Sequence, residues 1–472
     1  MARFIKRKLS KQLGLLAFLF ILINRPVFSR DTSDRPNIIV VLIDDMGWND
    51  TGFMGNDFID TPNMDRMAAG GVTFTTAYAA APNCAPSRAC LLTGMTPPRH
   101  DVYTVVDERH SPGKPWHKIL SAESLAAMPG EQITIGEVLS DEGYDTALVG
   151  MWNLGKGKRG PTVPTSQGFD LFVEPSDLDF DKDQYHNDKG EYLTDRLTDS
   201  SIEFMEDHRN SPFFLYAAYH GIHAPFDPPE DLLRKYKKLS PGRNAPKDFA
   251  EYAASVESID ANMGRLWESL VRLGIEDNTY IFFTSDNGGI RQHTPPLRNG
   301  KGTLYEGGVR VPLFISGPGI EGGRETDTPA TSLDFFPTII ALTGAPEHPN
   351  DGMNLEALLK ENQPLDERPL FWHFPCYIGG GAPVSSVRLG DYKLMEFFET
   401  GTTKLYNLAE DPYEEKDLSQ AEPEKARELY DTLLAWQEET GAPRPSEPNP
   451  AYDSSWEGKK IPELPDSKKK KR

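Results

Sequence analysis

Ile38 to Ile43 is a continuous run of apolar, largely β-branched residues. That pattern predicts a strand buried on both faces of a parallel sheet. Thr61-Pro62 predicts the N-cap and first residue of a helix, with Gly70-Gly71 as its stop. Thr134 to Gly143 repeats the signal as a second short helix. Ala147 to Val149, Phe213 to Tyr219, Tyr280 to Thr284 and Val311 to Ser316 predict further strands. Between them, Glu251 to Leu273 predicts a long amphipathic helix with Val256, Ile259, Met263, Leu266 and Leu270 on one face. Ser332 to Leu342 predicts another helix, ended by Gly344.

Strands alternating with helices argue for an α/β fold with a mostly parallel central sheet sandwiched by helices. The expected catalytic domain spans 36–355. After Gly352 the pattern changes. Val387 to Leu389, Tyr392 to Phe397 and Lys404 to Asn407 alternate and are linked by turns, which predicts a short antiparallel sheet. Glu424 to Trp436 closes it as a helix with Leu429, Leu433 and Trp436 on one side. Residues 365–440 are therefore expected to form a small C-terminal α+β subdomain. Residues 441–472 are rich in proline and charge and end in Lys468 to Arg472, which predicts a disordered, basic-ended tail.

The chain begins differently. Arg3, Lys6, Arg7, Lys8 and Lys11 precede the apolar run Leu13 to Ile23, followed by Pro26 and Val27-Phe28-Ser29. This is the layout of a secretory signal peptide over 1–29, and it predicts export to the periplasm or the medium. The run is about half of the ~20 residues a spanning helix needs, so no integral membrane segment is expected after cleavage. Removing 1–29, with six basic and no acidic side chains, takes the formal charge from −21 to −27. Such a field excludes nucleic acid as a general partner, and a polyanionic substrate would need a focused pocket. The three cysteines, Cys84, Cys90 and Cys376, are too few and odd in number for a disulfide framework.

In open α/β sheets, ligands bind beyond the carboxyl ends of the strands. The first strand ends in Asp44-Asp45 and the strand of the 280s in Asp286-Asn287. The 213–219 strand runs into His220 and His223, and the 147–149 strand into Met151-Trp152-Asn153. Three carboxylates and an amide are hard oxygen ligands, suited to Ca²⁺ or Mg²⁺ rather than zinc. Cys84-Ala85-Pro86-Ser87-Arg88 places a cysteine at an expected helix start, beside a cation. On physical grounds it is either a low-pKa nucleophile or a small buried cysteine.

The string Cys84-Ala85-Pro86-Ser87-Arg88, running on to Thr93-Gly94, resembles the type I sulfatase signature, and the chain is identified as a member of that alkaline-phosphatase-like family. Pro36 to Gly47 is similar to the family's first strand and metal site. Phe283 to Gly289 is similar to its second metal segment, Gly300 to Pro312 to its active-site lysine loop, and Leu405 to Leu408 with Asp411-Pro412 to its C-terminal subdomain. The resemblance implies a sulfuric ester hydrolase in which a formylglycine-generating or anaerobic sulfatase-maturing enzyme oxidises Cys84 to formylglycine. It implies a metal held by Asp44, Asp45, residue 84, Asp286 and Asn287. Arg88 would stabilise the nucleophilic alkoxide, Lys301 would hold a sulfate oxygen, and His223 would assist the leaving group as a general acid. His220, Asn153 and His373 are weaker candidates for substrate contacts, with Trp372-His373 helping to wall the pocket. The implied substrate is a sulfated carbohydrate or a small sulfate ester, with loops at Asp107 to His110 and Trp372 to Gly381 setting the choice.

One segment departs from the family. Where Gly-Lys-Trp-His-Leu-Gly is usual, this chain has Gly150-Met151-Trp152-Asn153-Leu154-Gly155. Methionine carries no charge, and asparagine is no base near neutral pH. Three readings are open: an active enzyme with a modified site, in which His220, His293 or water serves the second step; a binder of sulfated glycans without turnover; or a related phosphoesterase. The first is favoured because nucleophile, cation, metal and leaving-group residues are all present.

Overall fold

All seven side chains of β1 (Asn37–Ile43) are buried, and the six apolar ones alternate between two cores. Ile38, Val40 and Leu42 face one side of a sheet; Ile39, Val41 and Ile43 face the other. A strand lined with aliphatic residues on both faces belongs in the middle of a sandwich, where each such side chain contributes roughly 1.5–3 kcal/mol by burial. The computed structural model describes residues 35–105, 113–155, 160–181, 184–239, 245–378, 381–457 and 459. The expected signal peptide, the Asp107 to His110 loop and Lys468 to Arg472 lie outside the described residues.

In chain order the next strands are β2 (Gly71–Phe74), β3 (Ala77–Tyr78), β4 (Asp145–Gly150), β5 (Leu171–Val173), β6 (Phe213–Tyr219), β7 (Thr279–Ser285), β8 (Leu313–Ser316), β9 (Arg324–Thr326) and β10 (Ala330–Thr331). Among the described residues, eight form one sheet in the order β5-β4-β6-β1-β7-β8-β2-β9. From β5 to β7 all neighbours are parallel; β8 is antiparallel to both β7 and β2. The sheet is thus mostly parallel, with one reversed strand.

Helices cover both faces. On one side lie α1 (Pro62–Ala69), and on the other α2 (Cys84–Thr93) and α3 (Ile135–Asp141). Thr134 caps α3 as expected, in a reciprocal capping box with Glu137. The α1 face also carries α4 (Leu193–Asp207) and α6 (Phe249–Leu273), while α5 (Glu230–Lys238) packs outside with Tyr236 inward. After α7 (Glu306–Val309), the α2 face is completed by α8 (Phe335–Thr343) and α9 (Glu356–Glu361).

The C-terminal sheet runs β11 (Leu370–Phe374), β12 (Val384–Leu389), β13 (Tyr392–Phe397), β14 (Thr402–Asn407), antiparallel throughout. Its alternation has a clear cause. Val387, Leu394 and Leu405 pack on Leu429 and Leu433 of α10 (Pro423–Thr440). Trp372, Phe374, Met395 and Tyr406 pack instead on Tyr78, Leu304, Tyr305 and Val309. With both faces engaged, the described residues from Pro36 onward pack as one compact unit. The expectation of a disordered tail from 441 needs correction for its first part. Asn449 is buried, its amide Nδ2 donates to the carbonyls of Lys114 and His117, and Pro448 bridges Ile119.

Candidate active site

The register of the central sheet brings four strand ends level. Ile43 pairs with Tyr219 and with Ser285, and Gly150 pairs with Ala218. The residues just past these strands therefore emerge at one edge: Asp44-Asp45, Asp286-Asn287, His220 and Met151. Asp45 adopts φ 67°, a left-handed conformation that aspartate tolerates at modest cost, turning the chain at once after Asp44. The first turn of α2 then presents Cys84 to the same spot, with Asn83 as N-cap.

Asp44, Asp45, Cys84 and Asp286 each place a ligand atom within 4.8 Å of one another, all buried. The Cys84 thiol donates to Asp44 Oδ1 at 3.3 Å, and Lys301 Nζ donates to Cys84 Sγ at 3.1 Å. Lys301 also stands 2.6 Å from Asp45 Oδ1. Arg88, one turn after Cys84 and wholly buried, donates to Asp286 Oδ2 through Nε (3.0 Å) and Nη2 (2.8 Å). It lies 3.3 Å from Asp44 Oδ2 and donates its Nη1 to the carbonyl of Met151. His220 Nδ1 is 3.1 Å from Asp44 Oδ2, and His223 Nε2 is 3.9 Å from Asp45 Oδ2.

Charge crowding shows in the titration of these groups. Burial, then Asp286 and Asp44, push the Cys84 thiol well above its usual range, so the unmodified cysteine is not a poised thiolate. Burial and Asp44 push Asp286 up to about 7, against the pull of Arg88. Burial works against ionisation of Asp44 too, but His220, His223, Lys301 and Arg88 outweigh it and hold it well below the carboxylate range. Burial lowers His220, which Asp44 only partly offsets, favouring a neutral ring.

The donor set fits a hard divalent cation. Asn287 spends its Nδ2 on Asp45 Oδ1 (2.8 Å) and Gly288 O (2.9 Å), while its Oδ1 is buried without a hydrogen-bond partner. A buried, orphaned amide oxygen among three carboxylates is what an oxygen-coordinated ion would satisfy.

Asn153, two residues after Met151, is half-buried, with φ 56°. Trp372 and His373 do not wall this site. Both are fully enclosed: Trp372 Nε1 donates to Ala79 O at 2.9 Å, and His373 Nδ1 meets Ser385 Oγ at 2.5 Å amid Tyr103 and Trp436. The packing of β11 between the two parts of the chain turns them into the interior. His293, the other candidate for the second step, stacks on Tyr252 with ring centres 4.0 Å apart and faces Asp248. None of the three cysteines is in a disulfide; Cys90 Sγ lies 3.5 Å from His100 Nε2, and Cys376 donates to Ala122 O. Sequence reasoning missed Tyr185, which stacks on His220 (5.6 Å) and donates its hydroxyl to the His220 carbonyl at 2.7 Å. No motif marks it.

A carboxylate cluster at the edge of the parallel strands thus faces Cys84 at the start of a helix. The sequence model described as Sulfatase matches residues 36–345, and one described as N-sulphoglucosamine sulphohydrolase, C-terminal, matches 299–438. The chain is 33% identical to arylsulfatase A of Homo sapiens over 78% of its own length and 76% of that protein. It is 32% identical to N-acetylgalactosamine-6-sulfatase of Mus musculus, covering 76% and 71%. The crystal structure of Ps i-CgsB superposes with a TM-score of 0.72 at 27% identity, covering 88% of this chain and 94% of that one. The chain belongs to the sulfatase family. It is a sulfuric ester hydrolase.

Proposed function

We propose that the chain hydrolyses a sulfate ester of a sulfated carbohydrate, using formylglycine made from Cys84 and a divalent cation, Ca²⁺ or else Mg²⁺. One observation carries this reading: Cys84 Sγ sits between Lys301 Nζ (3.1 Å) and Asp44 Oδ1 (3.3 Å), inside the carboxylate group. The substrate class is supported by relatives. One is named N-acetylgalactosamine-6-sulfatase, and Ps i-CgsB has been crystallised with k-i-k-neocarrahexaose.

The cation, held by Asp44, Asp45, Asp286, Asn287 and residue 84, supplies charge neutralisation and Lewis acidity when bound. Formylglycine supplies, as its hydrate, a hydroxyl for attack on sulfur. The chain's own residues do the rest. Burial works against the Lys301 ammonium, but Asp45, Asp44 and Asp286 outweigh it and keep it protonated, and it offers N–H donors to a sulfate oxygen. Arg88 fixes Asp286 and Asp44. His220 orients Asp44 and is itself held by Tyr185. His223 keeps about a third of its side chain exposed, and its Nδ1 lies 2.8 Å from Ala224 O. Only as an imidazolium would a ring that donates Nδ1–H to that carbonyl also have an Nε2–H to give to the departing alcohol, and that is the form the general-acid role requires. Neither Met151 nor Asn153 supplies a second cation or base, so release of sulfate relies on His220 or water. Residues 1–29 support export, and a maturation enzyme is the required partner.

The test has two arms. Peptide mass spectrometry after co-expression with a maturation enzyme should find formylglycine at 84. The matured chain should then release sulfate from members of a panel of defined sulfated saccharides, and chelator should stop it. Unmodified thiol at 84, or turnover unaffected by chelation, would overturn the reading.

A further inference from the structure

A second buried charge cluster lies apart from Cys84. Lys393, in β13, is fully buried, and its Nζ lies 2.8 Å from Glu306 Oε1 and 3.0 Å from Glu414 Oε1. Glu306 accepts a hydrogen bond from the Tyr78 hydroxyl at 2.9 Å, and its backbone N–H donates to Glu414 Oε2 at 2.7 Å. Arg310 stands 3.9 Å from Glu306 Oε2, and Arg388 donates to the Tyr78 hydroxyl. Taking a lysine and two carboxylates out of water is costly, and apolar side chains would join the two parts of the chain at least as firmly. A buried charge network of this kind can instead serve to fix one geometry.

That geometry is the loop of Lys301. Glu306 is the first residue of α7, whose glycines lie hard against that loop. A Cβ at Gly307 would come within 2.5 Å of Asn299 O, and one at Gly308 within 2.1 Å of Thr303 O and 2.6 Å of Gly300 O. Gly307 N–H donates to Arg298 O at 3.1 Å. Arg298 in turn donates to the Glu414 carbonyl and covers the Tyr305 ring at 4.2 Å. Residues on both sides of Lys301 are thus braced by α7, and α7 is gripped from the C-terminal part of the chain.

We propose that Lys393 and Glu414 are positioning residues for Lys301, acting through Glu306 and α7. They set where the Lys301 ammonium stands relative to residue 84. The inference rests on Lys301 serving the reaction as proposed above.

The matured full-length chain is compared with E414Q, K393M and K393R by amide hydrogen exchange and by turnover of p-nitrophenyl sulfate. E414Q keeps the Lys393–Glu306 pair, so it decides the matter even where K393M does not fold. Exchange at 299–305 should rise about tenfold in E414Q, the size of a coupling within one network, while β1 and β7 exchange as in wild type. E414Q should lower kcat about tenfold with a smaller change in KM, yet leave the residual kcat of a K301A background unchanged. K393R should recover most of what K393M loses. Equal fractional losses in both backgrounds, or wild-type exchange at 299–305 in E414Q, would overturn the proposal. A matured wild type that releases sulfate from no ester would sink the functional reading, while the exchange arm still decides whether 393 and 414 hold the loop.

Discussion

Arg88 grips a single oxygen of Asp286 with two nitrogens, Nε at 3.0 Å and Nη2 at 2.8 Å, and both side chains are shut off from solvent. Removing one partner of such a pair leaves the other charge buried and unpaired. Arg88→Met is therefore expected to lose about 3–5 kcal/mol of stability in urea unfolding. A loss below about 1 kcal/mol, the range of an exposed pair, would mean that the guanidinium is not holding the carboxylates together.

His223 is assigned the proton that the leaving alcohol needs. His223→Gln should lower kcat by about 10²–10⁴ for a sugar sulfate, whose alkoxide is a poor leaving group. The loss should be much smaller for p-nitrophenyl sulfate, whose phenolate leaves unaided. Equal losses on both substrates would remove the general-acid role.

Cation binding should be visible without turnover. Adding Ca²⁺ to chelated protein is expected to raise Tm, by an amount equivalent to about 2.7 kcal/mol at a hundredfold excess over Kd. Asp45→Asn should remove most of that rise. A rise that persists in the variant would place the ion elsewhere.

Two buried histidines make stability fall with acid. Burial lowers both His100 and His373 to about 3, from an ordinary value near 6.5. Above pH 6.5 both states are neutral and nothing is lost. Below it the unfolded chain takes up protons that the folded chain refuses, so stability drops until pH nears 3. Each histidine adds about 1.4 kcal/mol per pH unit to that slope. His100→Gln should reduce the slope of unfolding free energy between pH 6 and 4.5 by about one proton. An unchanged slope would show that His100 is protonated in the fold.

The departure at 151 and 153 can be reversed. Arg88 holds the Met151 carbonyl rather than its side chain, so the frame tolerates substitution there. Asn153 sits at φ 56°, a region that histidine also enters. Met151→Lys with Asn153→His should raise sulfate release about a hundredfold, the lower end of what one base is worth. An unchanged rate would show that other groups already fill both roles.

Much of this was readable in the chain because it rests on local pattern. The run at 38–43, the helix signal beginning at Thr134, and the acidic strand ends all arise from residue type and spacing. Fold class and the cluster at the sheet edge came from the same signals. The features that stayed hidden depend on contacts far apart in sequence. His373 looked available until β11 turned it inward against Trp436. Tyr185 reaches His220 from an irregular segment without a motif. The first part of the expected tail is held by Asn449 on 113–120, and composition cannot register that contact. Lys393 looked like an ordinary strand lysine, because its two carboxylates come from 306 and 414.

The placing of β1 has a consequence in time. Its neighbours in the sheet are β6 and β7, reached by pairings such as Ile38 with Phe214 and Ile38 with Tyr280. During synthesis β1 waits for more than half the chain before it is flanked on both edges. Contacts so distant in sequence make for slow folding, and a bare aliphatic strand is prone to aggregate meanwhile. Under the maturation proposed above, that delay would be when an enzyme could reach Cys84, since the finished fold buries it. The same late closure that endangers the nascent chain would then serve its maturation.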